Sequence, residues 1–165
     1  MIELYILRHA PAESRQLWGP RRERDRPLTR KGEMKMWPIA KRMKRLKLSF
    51  DLILSSPFLR ARRTAEIVAD TFGMKIQLAD ALLPTADPKS LFRSTTDLFR
   101  AKRKIVIVGH DPFLGRLISF CLCGKASIQV TLKKGGLCKL ASPSSRLGTF
   151  SLEWMLTPAQ LVNVR

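Results

Sequence analysis

The chain carries only two histidines, and each closes a short apolar run. Ile2-Glu3-Leu4-Tyr5-Ile6-Leu7 ends on Arg8-His9, and Ile105-Val106-Ile107-Val108-Gly109 ends on His110-Asp111-Pro112. Runs of this length that are rich in β-forming residues and turn abruptly polar read as buried parallel strands at their carboxyl ends. In open α/β sheets, ligands bind in the crevice outside those ends. Two such ends each deliver an imidazole, one with a guanidinium beside it, which points to a site that handles phosphate.

The segments between the runs fit the same plan. After a long polar loop, Thr29 is placed to cap a helix carrying Met36, Ile39, Met43 and Leu46 at helical spacing. Pro38 falls inside that pattern, so the helix is expected to start late or to kink. A second strand is expected over 51–54. Ser56-Pro57 then reads as a cap and first-turn proline of a helix that runs to Phe72 and stops at Gly73. A short strand over 75–78 follows. Asp87-Pro88 repeats the cap-proline pattern for a helix to about Ala101, and Asp111-Pro112 starts another that ends near Gly124. In the last third, strands are expected over 128–132, 137–141 and 149–156, joined by turns at Lys133-Lys134-Gly135-Gly136 and Ser142-Pro143-Ser144-Ser145. No linker divides residues 1–165, which read as one domain. The expected architecture is a three-layer α/β/α sandwich with a mixed, mostly parallel central sheet.

Three strand ends carry the chemistry. The first delivers Arg8 and His9, and the second delivers Ser55-Ser56-Pro57-Phe58-Leu59-Arg60, with Arg60 in the first turn of a helix. The third delivers His110 just before another helix. Helix N-termini present free N–H groups and a positive dipole end, which suit anions. Arginine supplies planar paired donors matched to phosphate oxygens. Two arginines, two imidazoles and two helix starts in one crevice make a pocket for a phosphoryl group. A neutral imidazole is a competent nucleophile at phosphorus.

These residues resemble the histidine phosphatase superfamily, whose smaller members include the SixA-type phosphohistidine phosphatases. Arg8-His9-Ala10 is similar to the family's Arg-His-Gly signature. Arg26-Pro27-Leu28-Thr29 with Gly32 resembles the segment before its first helix. Ser56-Pro57-Phe58-Leu59-Arg60-Ala61 with Thr64 resembles the second-arginine motif, and Val108-Gly109-His110-Asp111-Pro112 the second-histidine motif. Phe150 to Pro158, with Trp154 and Thr157, resembles the SixA-type C-terminal strand. Arg-His alone is a weak signal, but five segments in order are a strong one.

The resemblance implies a phosphoglycerate mutase-like fold and a covalent phosphohistidine intermediate on His9. It makes Arg8, Arg60 and His110 the phosphate pocket and adds Arg26 as a further substrate-binding residue. It implies no cofactor and no metal. The expected substrate is a phosphohistidine on a signalling protein, with a small phosphorylated metabolite or polyphosphate as the alternative. Two departures stand out. Ala10 replaces the usual glycine, which is tolerable where the backbone does not need positive φ. Ala81 stands where larger relatives carry a general-acid glutamate, which leaves Asp80 or Asp87 as the acids to consider.

Charge is the outlier in composition. Lys and Arg total 31 against 13 Asp and Glu, a net charge of +18. Thirteen of the cations and three acids (Glu23, Asp25, Glu33) fall between Arg15 and Lys47. Such a stretch is a solvated helix face with a basic loop, or a surface for an acidic partner. A nucleic-acid-binding protein would need stacking platforms, for which Trp18 and Trp37 are the candidates. Aromatic residues make up only 7% of the chain and do not interleave with the basic run, so nucleic acid is weakly supported. No apolar run is long enough to span a bilayer, and no basic segment precedes Ile2 as a secretory leader would require. Cys121, Cys123 and Cys138 lack zinc-site spacing and cannot all pair, which suggests a reducing cytoplasm. Asp111 reads as a helix cap rather than as a metal ligand beside His9 and His110. Arg62 and Arg63 read as surface residues, and Lys133-Lys134-Gly135-Gly136 as a plain hairpin turn.

Overall fold

Side chains alternate along the apolar runs, and both faces of each run are covered. A computed structural model describes residues 1–163. Strand β1 (Ile2–Arg8) sends Ile2, Leu4 and Ile6 to one side and Tyr5 and Leu7 to the other. Strand β4 (Lys104–Gly109) divides Ile105 and Ile107 from Val106 and Val108 in the same way. This period of two with no polar face is what a strand between two helical layers requires.

The other elements are β2 (Leu52–Ser55), β3 (Ile76–Leu78), β5 (Leu137–Ser142) and β6 (Ser151–Leu156). The six strands form one sheet in the order β3-β2-β4-β1-β5-β6. The first four strands in that order pair in parallel, while β5 is antiparallel to both of its neighbours. The β5–β6 register shifts between Lys139 and Leu140. The expected mixed, mostly parallel sheet with a helical layer on each face is therefore the observed one.

Helices α2 (Arg30–Arg45), α3 (Leu59–Phe72) and α7 (Pro158–Asn163) cover one face through Met36, Ile39, Met43, Ile67, Val68 and Leu161. Helices α4 (Pro88–Ser94), α5 (Thr96–Ala101) and α6 (Phe113–Cys123) cover the other through Leu91, Phe99, Phe113 and Leu117. The chain leaves β1 toward the α2 layer and β4 toward the α6 layer. Helices that depart from adjacent strands to opposite faces open a crevice at the shared carboxyl end, the ligand position of such sheets.

Several boundaries differ from expectation. Thr29 caps α2 by accepting the Gly32 N–H at 2.9 Å, so the helix starts at once and takes in an exposed Pro38. Helix α3 begins at Leu59 rather than at Pro57, because Ser56 continues the strand pairing and its hydroxyl is used elsewhere. The loop after β1 contains a short helix, α1 (Arg15–Trp18), capped by Ser14, and a 3-10 turn at Pro20–Arg22. The helix expected from Pro88 to Ala101 breaks at Thr95 into α4 and α5.

Residues 128–132 are not a strand: Leu132 O accepts from Arg8 Nη1, and Val130 O packs against Gly115. The turn at 133–136 is therefore no hairpin. Helix α7 was not anticipated. Thr157 and Gln160 cap its start reciprocally: Thr157 N–H donates to Gln160 Oε1 at 2.9 Å, and Gln160 N–H donates to Thr157 Oγ1 at 3.3 Å.

All three cysteines are free thiols, with Cys121 and Cys138 in the core and Cys123 exposed. Among the described residues no helix is long and apolar enough to cross a membrane.

Candidate active site

The sheet itself brings the two histidines together. Arg8 pairs with Gly109 in register, and His9 N–H donates to Gly109 O at 3.0 Å, so β1 and β4 reach their ends side by side. Ser56 N–H donates to Val108 O at 3.0 Å and adds the end of β2 to the same edge. The His9 and His110 rings lie 5.1 Å apart between centroids, and both are buried. The cavity at this edge has a volume of about 390 Å³. Arg8, His9, Arg26, Arg60 and His110 all line it, so every expected site residue meets there.

The segment that follows His9 is pinned from three sides. Ala10 N–H donates to Thr64 Oγ1 at 3.1 Å, and Thr64 Oγ1 donates to Arg60 O at 2.7 Å, tying the strand end to α3. Thr29 N–H donates to Pro11 O at 3.0 Å. A Cβ on Gly32 would stand 2.1 Å from Pro11 O, so only glycine admits the loop this close to α2. Among the described residues Lys47 is the one non-glycine residue with positive φ, so Ala10 occupies ordinary backbone and needs no glycine.

His9 Nδ1 lies 2.7 Å from Ala10 O. A carbonyl only accepts, so the ring proton sits on Nδ1 and the lone pair is on Nε2. Burial, reinforced by the charges of Arg60, Arg8 and Lys134 and opposed by the Ala10 hydrogen bond, pushes the His9 pKa down to about 3. The ring is therefore neutral at ordinary pH. His110 Nε2 lies 2.9 Å from Ser56 Oγ, which also accepts the Phe58 N–H at 3.4 Å. Where Ser56 Oγ donates to Nε2 the His110 ring proton is on Nδ1, and where Nε2 donates to Ser56 Oγ it is not. Nδ1 is buried without a partner in the protein. Burial, then the neighbouring His9 ring, should it take a proton, and the charges of the arginines, pushes His110 down to about 2.

The arginines are held in different ways. Arg60 is 1% exposed, and its Nη1 donates to Glu23 O while Nη2 pairs with Glu23 Oε1, each at 2.9 Å. Burial lowers its pKa to about 10, which leaves it cationic. Arg26 donates Nε and Nη2 to the two Glu23 carboxylate oxygens at 2.9 and 2.8 Å, and Nη1 to Glu13 O at 2.6 Å. Arg8 Nη1 reaches Leu132 O at 2.6 Å and Asp111 Oδ2 at 2.9 Å. The Nε atoms of Arg8 and Arg60 are buried with no partner in the protein.

Two expectations about acids are corrected. Asp111 does not cap α6. It lies in the cavity wall against Arg8, where burial pushes its carboxyl up and the Arg8 charge pulls it back. Asp80 is exposed on a 3-10 turn, and Asp87 is 3.7 Å from Arg93, and neither lines the cavity. The carboxylates that do line it are Glu13 and Asp111.

Sequence reasoning missed two further residues. Glu23 was one acid in a basic stretch, yet it binds Arg26 and Arg60 together, and their charges hold its carboxyl below the usual range. Its place among the arginines at 21, 22, 24 and 26 was the available sign, one that Asp25 shares. Lys134 lines the cavity because Gly135 N–H, at φ 78°, reaches back to Arg8 O at 3.0 Å and His9 O at 3.2 Å.

The stacking platforms proposed for nucleic acid are not free. Trp37 packs against the core, and Arg22 lies over Trp18 at 5.1 Å. Arg62 and Arg63 lie outside the cavity and pair with Glu66 and Glu33 respectively.

A family model described as Histidine phosphatase superfamily (branch 1) matches residues 4–83. An uncharacterised protein of Picosynechococcus sp. is 37% identical over 149 residues, which span 88% of this chain and 88% of that protein. Among solved structures, the protein histidine phosphatase SixA complexed with tungstate superposes with a TM-score of 0.83 at 23% identity, covering 97% of this chain and 99% of that one. The alpha-ribazole phosphatase from Shigella flexneri superposes with a TM-score of 0.68 at 15% identity, covering 92% of this chain and 95% of that one. At these identities the two structures establish a shared fold.

Proposed function

The chain belongs to the histidine phosphatase superfamily, and on that premise we propose that it is a phosphatase that works through a covalent phosphohistidine on His9 and acts on phosphohistidine of a protein. The observation that carries this reading is the convergence of Arg8, Arg26, Arg60 and His110 on a neutral His9 in one cavity. Guanidinium groups so placed would take the charge on the peripheral oxygens of a phosphoryl group.

In the first step the His9 Nε2 lone pair forms the N–P bond while the bond from phosphorus to the leaving group breaks. The electron pair departs with the leaving group. In the second step water forms a P–O bond, the N–P electron pair returns to Nε2, and inorganic phosphate leaves. Arg8, Arg60 and His110 stabilise charge on the peripheral oxygens in both steps, and Arg26 supports them through its shared carboxylate with Arg60.

The preference for phosphohistidine rests on the leaving group. An alkoxide leaves poorly unless an acid protonates it, whereas the imidazole of phosphohistidine takes a proton on its far nitrogen from solvent and leaves neutral. Neither Asp80 nor Asp87 is in the cavity to serve an alkyl ester. The alternative, a small phosphorylated metabolite or polyphosphate, is favoured by one observation: Glu13 and the Asp111 carboxyl, which burial pushes up, do line the cavity.

The test is a substrate panel of phosphohistidine peptide, aryl phosphate, alkyl phosphate and polyphosphate, with acid-labile label on His9 followed by rapid quench. The expected order is phosphohistidine first, aryl phosphate slower by about a hundredfold, and alkyl phosphate slower again. Equal rates on alkyl phosphate would favour the metabolite reading, and absence of label on His9 would remove the covalent mechanism.

A further inference from the structure

A second groove lies beside the phosphate cavity. It lies between α2, α7 and the 133–136 turn and has a volume of about 800 Å³. Pro38, Ile39, Pro158 and Val162 give it an apolar floor, and the exposed Lys35 and Lys133 stand beside it. Arg8 and Lys134 line both this groove and the phosphate cavity, so the two spaces are neighbours with a shared wall. Their shared wall is fixed in place. Gly135 hydrogen bonds to the backbone of Arg8 and His9, and a Cβ on it would lie 3.4 Å from Ile39 Cδ1 and 3.5 Å from Pro158 Cγ. The turn is therefore packed on the groove floor and tied to the nucleophile at once.

The lining of this groove holds four cations, Arg8, Lys35, Lys133 and Lys134, and no carboxylate. Two other grooves share lining residues with the cavity and each holds a carboxylate: one of about 670 Å³ contains Glu23, whose carboxylate already binds Arg26 and Arg60, and one of about 630 Å³ contains Asp111. The lysine groove thus has an apolar floor with unbalanced positive charge, beside the place where a phosphoryl group would sit. A small metabolite would use the phosphate cavity alone. A protein carrying phosphohistidine must lay its neighbouring surface somewhere, and this groove is the adjoining space whose charge attracts carboxylates.

We propose that the groove seats an amphipathic helix of the substrate protein, with an apolar side chain on the Pro38–Val162 floor and Asp or Glu residues facing Lys35 and Lys133. This rests on the reading of the chain as a phosphohistidine phosphatase and adds the surface that would select the protein.

The experiment uses two synthetic helical peptides, each phosphorylated on a single histidine. One carries leucine and glutamates one and two turns away, and the other carries serine and glutamines there. Turnover of both, and of free phosphohistidine, is measured with the full chain and with the Lys35→Glu/Lys133→Glu and Val162→Asp variants. Binding of the unphosphorylated peptides is followed by fluorescence anisotropy. The acidic peptide should show a kcat/KM about tenfold or more above the neutral one at low salt. The preference should shrink as salt shortens the Debye length from about 8 Å to about 3 Å. Both variants should lose the preference and keep wild-type turnover of free phosphohistidine. Equal turnover of the two peptides, or a preference that survives charge reversal, overturns the docking proposal while leaving the chemistry standing. Selective binding of the unphosphorylated acidic peptide without hydrolysis of any phosphohistidine would uphold the groove and overturn the catalytic reading instead.

Discussion

His9 and His110 end adjacent parallel strands with rings 5.1 Å apart, yet they are held by opposite nitrogens. His9 is engaged through Nδ1 by the carbonyl of its own next residue, which leaves Nε2 with a lone pair. His110 is engaged through Nε2 by Ser56 from a third strand, which leaves Nδ1 as the buried nitrogen without a partner. On the proposed mechanism the first ring gives electrons and the second, with Ser56 donating to its Nε2, gives a hydrogen bond. The lesson is that the partner of the second nitrogen, more than the histidine itself, assigns the role. On the proposed mechanism, a local backbone contact would make the nucleophile and a contact across the sheet the stabiliser.

The strongest way to break this comparison is at His9. His9→Ala should lower turnover by about 10⁴-fold or more, since nothing else in the cavity replaces the nucleophile. Vanadate binding, measured by calorimetry, should remain. A folded variant that retains near-normal turnover would end the distinction between the rings. His110→Gln and Arg60→Ala come next, each costing about 10²–10³-fold in kcat, the loss of one donor to transition-state charge. Steady-state rates at saturating substrate check this, and a change confined to KM would place both residues in binding alone.

The third test sets the rings side by side through pH. Both imidazoles have folded values far below 6.5, at about 3 and about 2. Below pH 6.5 the unfolded chain takes up protons that the folded chain refuses. Stability is therefore full above 6.5 and falls as pH drops toward 3, by up to about 1.4 kcal/mol per pH unit for each histidine. Urea midpoints across this range should fall less steeply in His9→Ala and in His110→Gln than in the wild type. Parallel slopes would show that neither ring is held neutral.

The smallest effect sharpens the assignment of His110. Ser56→Ala removes the hydrogen bond that fixes the ring and should cost about 1 kcal/mol, roughly fivefold in kcat. In a His110→Gln background the same change should add little, because its whole effect passes through the ring. Additive losses would mean that Ser56 acts elsewhere.

Much of this site was legible because it is built from strand ends. β1 and β4 are apolar on both faces and stop at Arg8-His9 and His110, so their position in the sheet followed from pattern alone. Arg60 was legible from its place at the start of a helix after such an end. What escaped was held by contacts distant in sequence. Asp111 has the local grammar of a cap, but its carboxylate is drawn to Arg8 on the neighbouring strand. Residues 128–132 alternate as a strand would, but Leu132 O accepts from Arg8, and Val130 O sits against Gly115, where a Cβ would approach within 2.1 Å. Helix α7 is the exception, since Thr157-Pro158-Ala159-Gln160 carries a local capping pattern that could have been read. Glu23 shows the general limit, because composition counts a carboxylate without saying which cations it gathers.

The register shift between Lys139 and Leu140 bears on how copies of this chain meet in solution. β6 is an outer strand with Leu152 and Met155 about half exposed, the kind of border that invites another chain to pair with it. The irregularity bends that border, so a flat ladder cannot be continued from it without matching the bend. The opposite border, β3, is three residues long. Any copy approaching either side also brings its own charge of +18. Bent at one margin, short at the other and mutually repelling, these sheets are built to stay apart at high concentration, and added salt should be what brings them together.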